Sequence, residues 1–355
     1  MQYDLQNSLL TDLVICKKSG FKKPLSWPDI RKNAPDNCIR LLVDVRYPIG
    51  FMATVTGGYS VDIDGEHYAD YNSEALLSIP NWSEYTATYG YAIDYPTGAS
   101  TAHVIDIYPQ TNGNDITAFK CMRVADSGEE QQGVLWAHFN FAHEINITKC
   151  FGESGRYYNP LMEALTAKGN LVKVNGIEQC FYNAESLTYV PTIDGQNNTL
   201  NIYALFYRAA ITEADIKNLK FTDGSVAFYN CPNLKKLPKG LDYSAATSMW
   251  FFLLGNTALE DTYLNVNSTS LTDIKIWGTS IKGLRVSNSA PFSGDTPQID
   301  IQYTGLDRTA LVQLFNDLPT VSDGQIINIT GCNGTADLTD EDKTIVTTKG
   351  WTIAE

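Results

Sequence analysis

Basic charge is scarce in this sequence. Lys and Arg number 26 against 40 Asp and Glu, for a formal net charge of −14, and no Lys/Arg-rich run occurs. Polyanion binding is driven largely by cations that displace counterions from phosphates, so nucleic acid is disfavoured as a partner, as is an anionic membrane surface. Paired cysteines are also missing. The seven Cys, at 16, 38, 121, 150, 180, 231 and 332, are dispersed, and none forms a Cys-x-x-Cys. An odd, scattered set reads as buried thiols of a reducing compartment rather than as a disulfide framework. No stretch approaches the ~18 apolar residues that a spanning helix needs, so membrane insertion is not expected. The opening Met1-Gln2-Tyr3-Asp4 has no basic n-region and no apolar core behind it, so no export signal is expected and synthesis in a cytoplasm is.

Catalytic signatures are absent too. There is no Gly-x-Ser-x-Gly, Walker loop, Gly-x-Gly-x-x-Gly or His-Glu-x-x-His, and the expectation is a non-enzymatic chain without cofactor. Histidine occurs only at 67, 103, 138 and 143. His138 and His143 fall on opposite faces of a strand and miss the i,i+4 spacing of a helical metal pair, so no metal is expected there. Asp62-Ile63-Asp64-Gly65 offers two carboxylates but lacks the rest of a calcium loop, and reads as a plain turn.

What the sequence does have is a period. From Phe181 an apolar anchor recurs at Phe206, Phe228, Phe252, Ile276, Ile301, Ile329 and Ile353, in steps of 22 to 28 residues. A second apolar residue follows each of the first six, at Leu187, Ile211, Leu234, Leu259, Ile281 and Leu306. A period of this size marks a solenoid, in which no unit can bury its apolar edge without its neighbours. Short helices are expected at Asn159–Leu165, Thr212–Ile216, Thr309–Phe315 and Asp340–Val346, the first for its cap and N1 proline, the last for its acidic first turn.

Ahead of the period the pattern is that of strands. Ile39–Val45, Phe51–Thr56, Tyr59–Ile63 and Ala102–Pro109 are β-branched or alternate at period two, and Gly57-Gly58 supplies a turn. The fold class expected is mixed, mostly β, with an N-terminal β-sandwich followed by a leucine-rich-repeat-like β/α solenoid. The boundaries expected are an arm over 1–30, a sandwich over 31–125, and a solenoid with a C-terminal cap over 126–355.

Two stretches carry a family resemblance. Tyr59-Ser60-Val61-Asp62-Ile63-Asp64-Gly65 resembles the hairpin of PKD-like sandwiches. Phe228-Tyr229-Asn230-Cys231-Pro232-Asn233-Leu234-Lys235-Lys236-Leu237-Pro238 is similar to BspA-type leucine-rich repeats, with a second copy at Phe181–Pro191. The tail, Leu306 to Ile353, resembles the closing unit of leucine-rich-repeat proteins of gut bacteria and their phages. The resemblance implies a bacteriophage virion structural protein, a fibre or decoration, whose partners are other virion proteins or a host-surface protein or glycan. Homo-oligomers are compatible with it. Its rivals are a BspA-like adhesin at the bacterial cell surface and a glycan-binding or glycan-processing protein.

The residue after each anchor is Tyr182, Tyr207, Tyr229, Leu253 and Trp277 in turn. If the anchors lie in strands and face the core, strand alternation sends these side chains to the other face, about 5 Å apart. The candidate binding residues are therefore Tyr182, Tyr207, Tyr229 and Trp277. The other reading of the same residues is a second layer of core.

Overall fold

A computed structural model describes residues 21–82, 91–95, 98–125, 127–260, 262–287, 291–322 and 324–355; the rest of the expected arm, residues 1–20, lies outside them. Among the described residues the chain is mostly β, with strands in six sheets, none closed into a barrel, and α-helices only at Arg308–Asp317 and Asp340–Thr347.

Two seven-stranded sheets dominate the N-terminal part. In one, Cys38–Asp44 lies antiparallel between Val134–Asn140 and Gly98–Pro109. Alternation along this strand sends Ile39, Leu41 and Val43 into the main core and Leu42 to the opposite face. The second face is covered by the residues just after the undescribed segment. Phe21, Trp27 and Ile30 pack there with Leu42, Val104 and Trp136, and Phe21 meets Trp136 edge-on at 4.9 Å. Arg40 ties the covering segment down, pairing with Asp106 at 2.5 Å and donating to Lys32 O at 2.9 Å.

The second sheet changes character along its width. Ile49–Val55 pairs antiparallel with Leu77–Ile79 and with Ile116–Cys121. From Glu144–Asn146 onward its neighbours are parallel: Leu171–Gly176, Thr192–Asp194 and Ile216–Lys217. The first sheet does the same where Ala164–Ala167 joins Val134–Asn140 in parallel. No break in the core accompanies this change, and one apolar cluster runs from Ile39 to Trp351.

Every anchor from Phe181 to Ile329 and every follower from Leu187 to Leu306 is buried. The anchors at Phe181, Phe206, Phe228 and Phe252, however, lie in turns rather than strands. Each coil bends through overlapping turns, such as Tyr182 N–H to Gln179 O at 3.1 Å and Ala184 N–H to Phe181 O at 3.2 Å. Successive coils are joined by backbone bonds from the same residues: Phe181 N–H to Leu205 O at 3.0 Å, Phe206 N–H to Ala227 O at 2.8 Å, Phe228 N–H to Phe252 O at 3.1 Å. Inside, the rings of Phe181, Phe206 and Phe228 stack at 5.2 and 5.7 Å. Fully buried Asn256 clips two coils together, accepting from Cys231 N–H at 2.9 Å and donating to Phe228 O at 2.6 Å.

Two expected helices are not helices. Asn159 does not cap one; fully buried, it accepts from Val134 N–H at 3.0 Å and donates to Phe151 O at 2.8 Å, and the chain turns into the strand Ala164–Ala167. Thr212–Ile216 is irregular and ends in the short rung Ile216–Lys217, where pairing with Thr192–Asp194 outweighs local propensity. The two C-terminal helices do form. Asp307 caps the first by accepting from Ala310 N–H, and Thr339 with Asp342 builds a capping box on the second.

Candidate binding surface

The turn geometry decides which side chains leave the coil. Gln179, Ala204, Val226 and Phe251 each open a turn with positive φ, between 50° and 53°. The residue three places on donates back to that opening carbonyl: Tyr182, Tyr207, Tyr229 and Leu254. The first three are half-buried, and their rings form a ladder, with Tyr182 and Tyr207 stacked at 4.9 Å and Tyr207 and Tyr229 at 4.7 Å. Burial, and then the flanking Tyr182 and Tyr229, hold the Tyr207 hydroxyl above its ordinary pKa, so it remains a neutral hydrogen-bond donor.

The ladder ends at the fourth coil because the turn there begins one residue late. Phe228 N–H bonds Phe252 O, which in parallel pairing places Phe228 beside Leu253 and Tyr229 beside Leu254. Leu253 is accordingly fully buried. The slip pushes Trp250 and Phe251 outward instead, their rings 4.3 Å apart, with Trp250 43% exposed. Trp277 is not a rung of the tyrosine ladder. Met249 bridges Ile274, and the Trp277 ring meets Phe251 edge-on at 4.8 Å, next to the ladder's end.

Tyr182, Tyr207, Tyr229, Trp250, Phe251 and Leu254 line a groove of 320 Å³; Trp277 is not among its lining residues. The groove is lined largely by aromatic side chains. Such a surface can stack on the apolar faces of sugar rings or accept an aromatic side chain, each ring contact contributing about 0.5–1.5 kcal/mol beyond burial. Trp250 and Phe251 were not legible as surface residues in the sequence; the aromatic pair itself was the only signal, and Phe252 beside it took the anchor role.

The other candidates have internal duties. Asp64 accepts from Val104 N–H at 2.9 Å and lies 2.6 Å from His103 Nδ1, and Asp62 accepts from the Tyr108 hydroxyl at 2.9 Å. His138 sits beneath the covering N-terminal segment, its Nδ1 3.0 Å from Thr166 Oγ1, while His143 Nε2 lies 2.8 Å from Asn37 Oδ1. Burial, with Arg40 and Arg31 nearby, depresses the His138 pKa to about 4. No group of three or more metal-ligating side chains occurs among the described residues, and no helix among them is long and apolar enough to cross a membrane. Comparison with protein-family models, with curated proteins and with solved structures finds no match to this chain.

Proposed function

We propose that this chain is a non-enzymatic binding protein, an N-terminal PKD-like β-sandwich continued by a leucine-rich-repeat-like solenoid that presents the aromatic groove to a host-surface glycan or protein. The observation that carries the reading is the ladder of Tyr182, Tyr207 and Tyr229 held at 4.7–4.9 Å on hydrogen-bonded coils. Rings fixed in advance lose little conformational entropy when a ligand stacks on them, so a rigid ladder suits recognition. The expected setting is a bacteriophage virion, as a fibre or decoration protein, and this part rests on the sequence resemblance to BspA-type repeats and PKD-like hairpins. The cell-surface adhesin shares the groove and differs only in where the protein resides.

The test is affinity electrophoresis of the wild type through gels containing surface polysaccharides of gut bacteria, beside a Tyr207→Ala, Tyr229→Ala variant. Retardation of the wild type that the folded variant loses is the expected outcome. Equal migration of the two in every gel rules the groove out as a glycan-binding surface.

A further inference from the structure

A second groove opens between two coils that should pair and do not. On another edge of the coils the rungs Thr199–Leu200, Leu219–Phe221 and Leu241–Asp242 are parallel neighbours, as are Tyr263–Val266 and Gly283–Val286. Their starts are evenly spaced, 20 or 22 residues apart, yet Leu241–Asp242 and Tyr263–Val266 belong to separate sheets. Around the anchors the same coils stay bonded, with Asn230 N–H to Leu254 O at 2.7 Å. They are closed along one edge and parted along another. Tyr243 borders the parting, its ring edge-on to Phe221 at 5.2 Å and to Phe252 at 6.2 Å.

The parting leaves a groove of 740 Å³ with Leu241 and Asp242 on one wall and Tyr263 and Asn265 on the other. Both walls are strand edges. Val266 O accepts from Ser287 N–H in the neighbouring rung. Backbone groups alternate in direction along a strand, so those of Tyr263 and Asn265 face the groove. The groove's two carboxylates are already engaged, Asp242 with Lys220 at 3.7 Å and Glu260 with Lys235 at 3.0 Å. Lys236 and Lys239, exposed on the same rim, have no carboxylate partner among the described residues. The rim is therefore locally cationic on a strongly acidic chain. Beside it Tyr263 rests on Gly283, where a Cβ would come within 2.6 Å of the ring, and remains 72% exposed.

We infer that this groove accepts an extended acidic peptide, added as a strand between the two open edges. Main-chain pairing with Leu241 and with Tyr263 and Asn265 supplies the backbone bonds that the parted coils leave unmade, Lys236 and Lys239 meet carboxylates on the peptide, and Tyr263 covers its side chains. The site is separate from the tyrosine ladder and does not depend on it.

The probe is a fluorescently labelled peptide of alternating Glu and Val, read by anisotropy, beside the same peptide N-methylated at alternate residues. Saturable binding is expected, weakened about ten-fold or more by N-methylation, by Lys236→Glu with Lys239→Glu, and by added salt. Asn265→Pro should weaken it as well, because it removes a donor facing the groove while sparing the ladder to Gly283–Val286. If that variant misfolds, the comparison of the two peptides on the wild type decides the question. Absence of binding, or equal binding of the two peptides, overturns the inference. So does binding of oligogalacturonate at Lys236 and Lys239 with no binding of the peptide, which would make the groove a site for an acidic glycan.

Discussion

Phe206 and Tyr207 are adjacent in sequence and opposite in environment, which makes truncating each in turn a sharp test of the coil geometry. Phe206 is fully buried, its ring sandwiched between Phe181 at 5.2 Å and Phe228 at 5.7 Å. The backbones on either side are fixed by the bonds to Leu205 O and Ala227 O, so the coils cannot close on the space left by Phe206→Ala. Phe→Ala in a core costs roughly 3–5 kcal/mol, and a site that cannot relax belongs at the upper end. Tyr207 is half-buried and would lose its two ring contacts, at 4.9 and 4.7 Å. With each contact contributing about 0.5–1.5 kcal/mol, loss of the two should make Tyr207→Ala cost about 1–3 kcal/mol. Guanidinium unfolding followed by circular dichroism, with the slope m fitted for each variant, gives both numbers. Equal costs for the two substitutions, or less than about 1 kcal/mol for Phe206→Ala, would refute the assignment of inner and outer faces.

Two further outcomes follow from buried polar groups. The folded-state pKa of His138, about 4, lies below its ordinary 6.5. Above the ordinary value the group is neutral in both states; between 6.5 and 4 only the unfolded chain takes the proton, so stability falls as pH drops through that window, by up to about 3 kcal/mol. Urea midpoints measured from pH 7 to pH 4 should show this loss, and His138→Asn should flatten it. Asn256→Ala would strand Cys231 N–H and Phe228 O inside the core and should cost roughly 2–4 kcal/mol, measured as the shift in unfolding free energy.

Much of the core was legible in the sequence because burial follows apolar period. Phe181, Phe206, Phe228 and their followers recur at a regular spacing, and each is buried. The last helix was legible from the acids of its first turn, Asp340, Glu341 and Asp342, a local signal; the caps at Asp307 and Thr339 came only with the structure. Turn geometry was not. Positive φ at Ala204 and Val226 is imposed by the coil against the preference of both residue types, and nothing in either side chain announces it. The one-residue slip at Phe251 was hidden for the same reason, so Leu253 looked like a rung and Trp250 did not. Asn159 carried every local mark of a helix cap, yet its amide satisfies backbone groups on two other segments, a long-range fact with no local trace. The second groove was invisible because it arises from a pairing that does not form.

Whether the turn coils form one hydrogen-bonded stack carrying a rigid aromatic surface is decided by native-state amide exchange. In such a stack the amides of Phe181, Phe206 and Phe228, each bonded to the next coil at 2.8–3.1 Å, exchange together and about as slowly as those of Ile39 and Leu41 in the N-terminal sheet, while Tyr263 and Asn265 at the open edge exchange fast. Exchange of the three phenylalanine amides at rates near those of the unfolded chain, with the N-terminal sheet still protected, would contradict it.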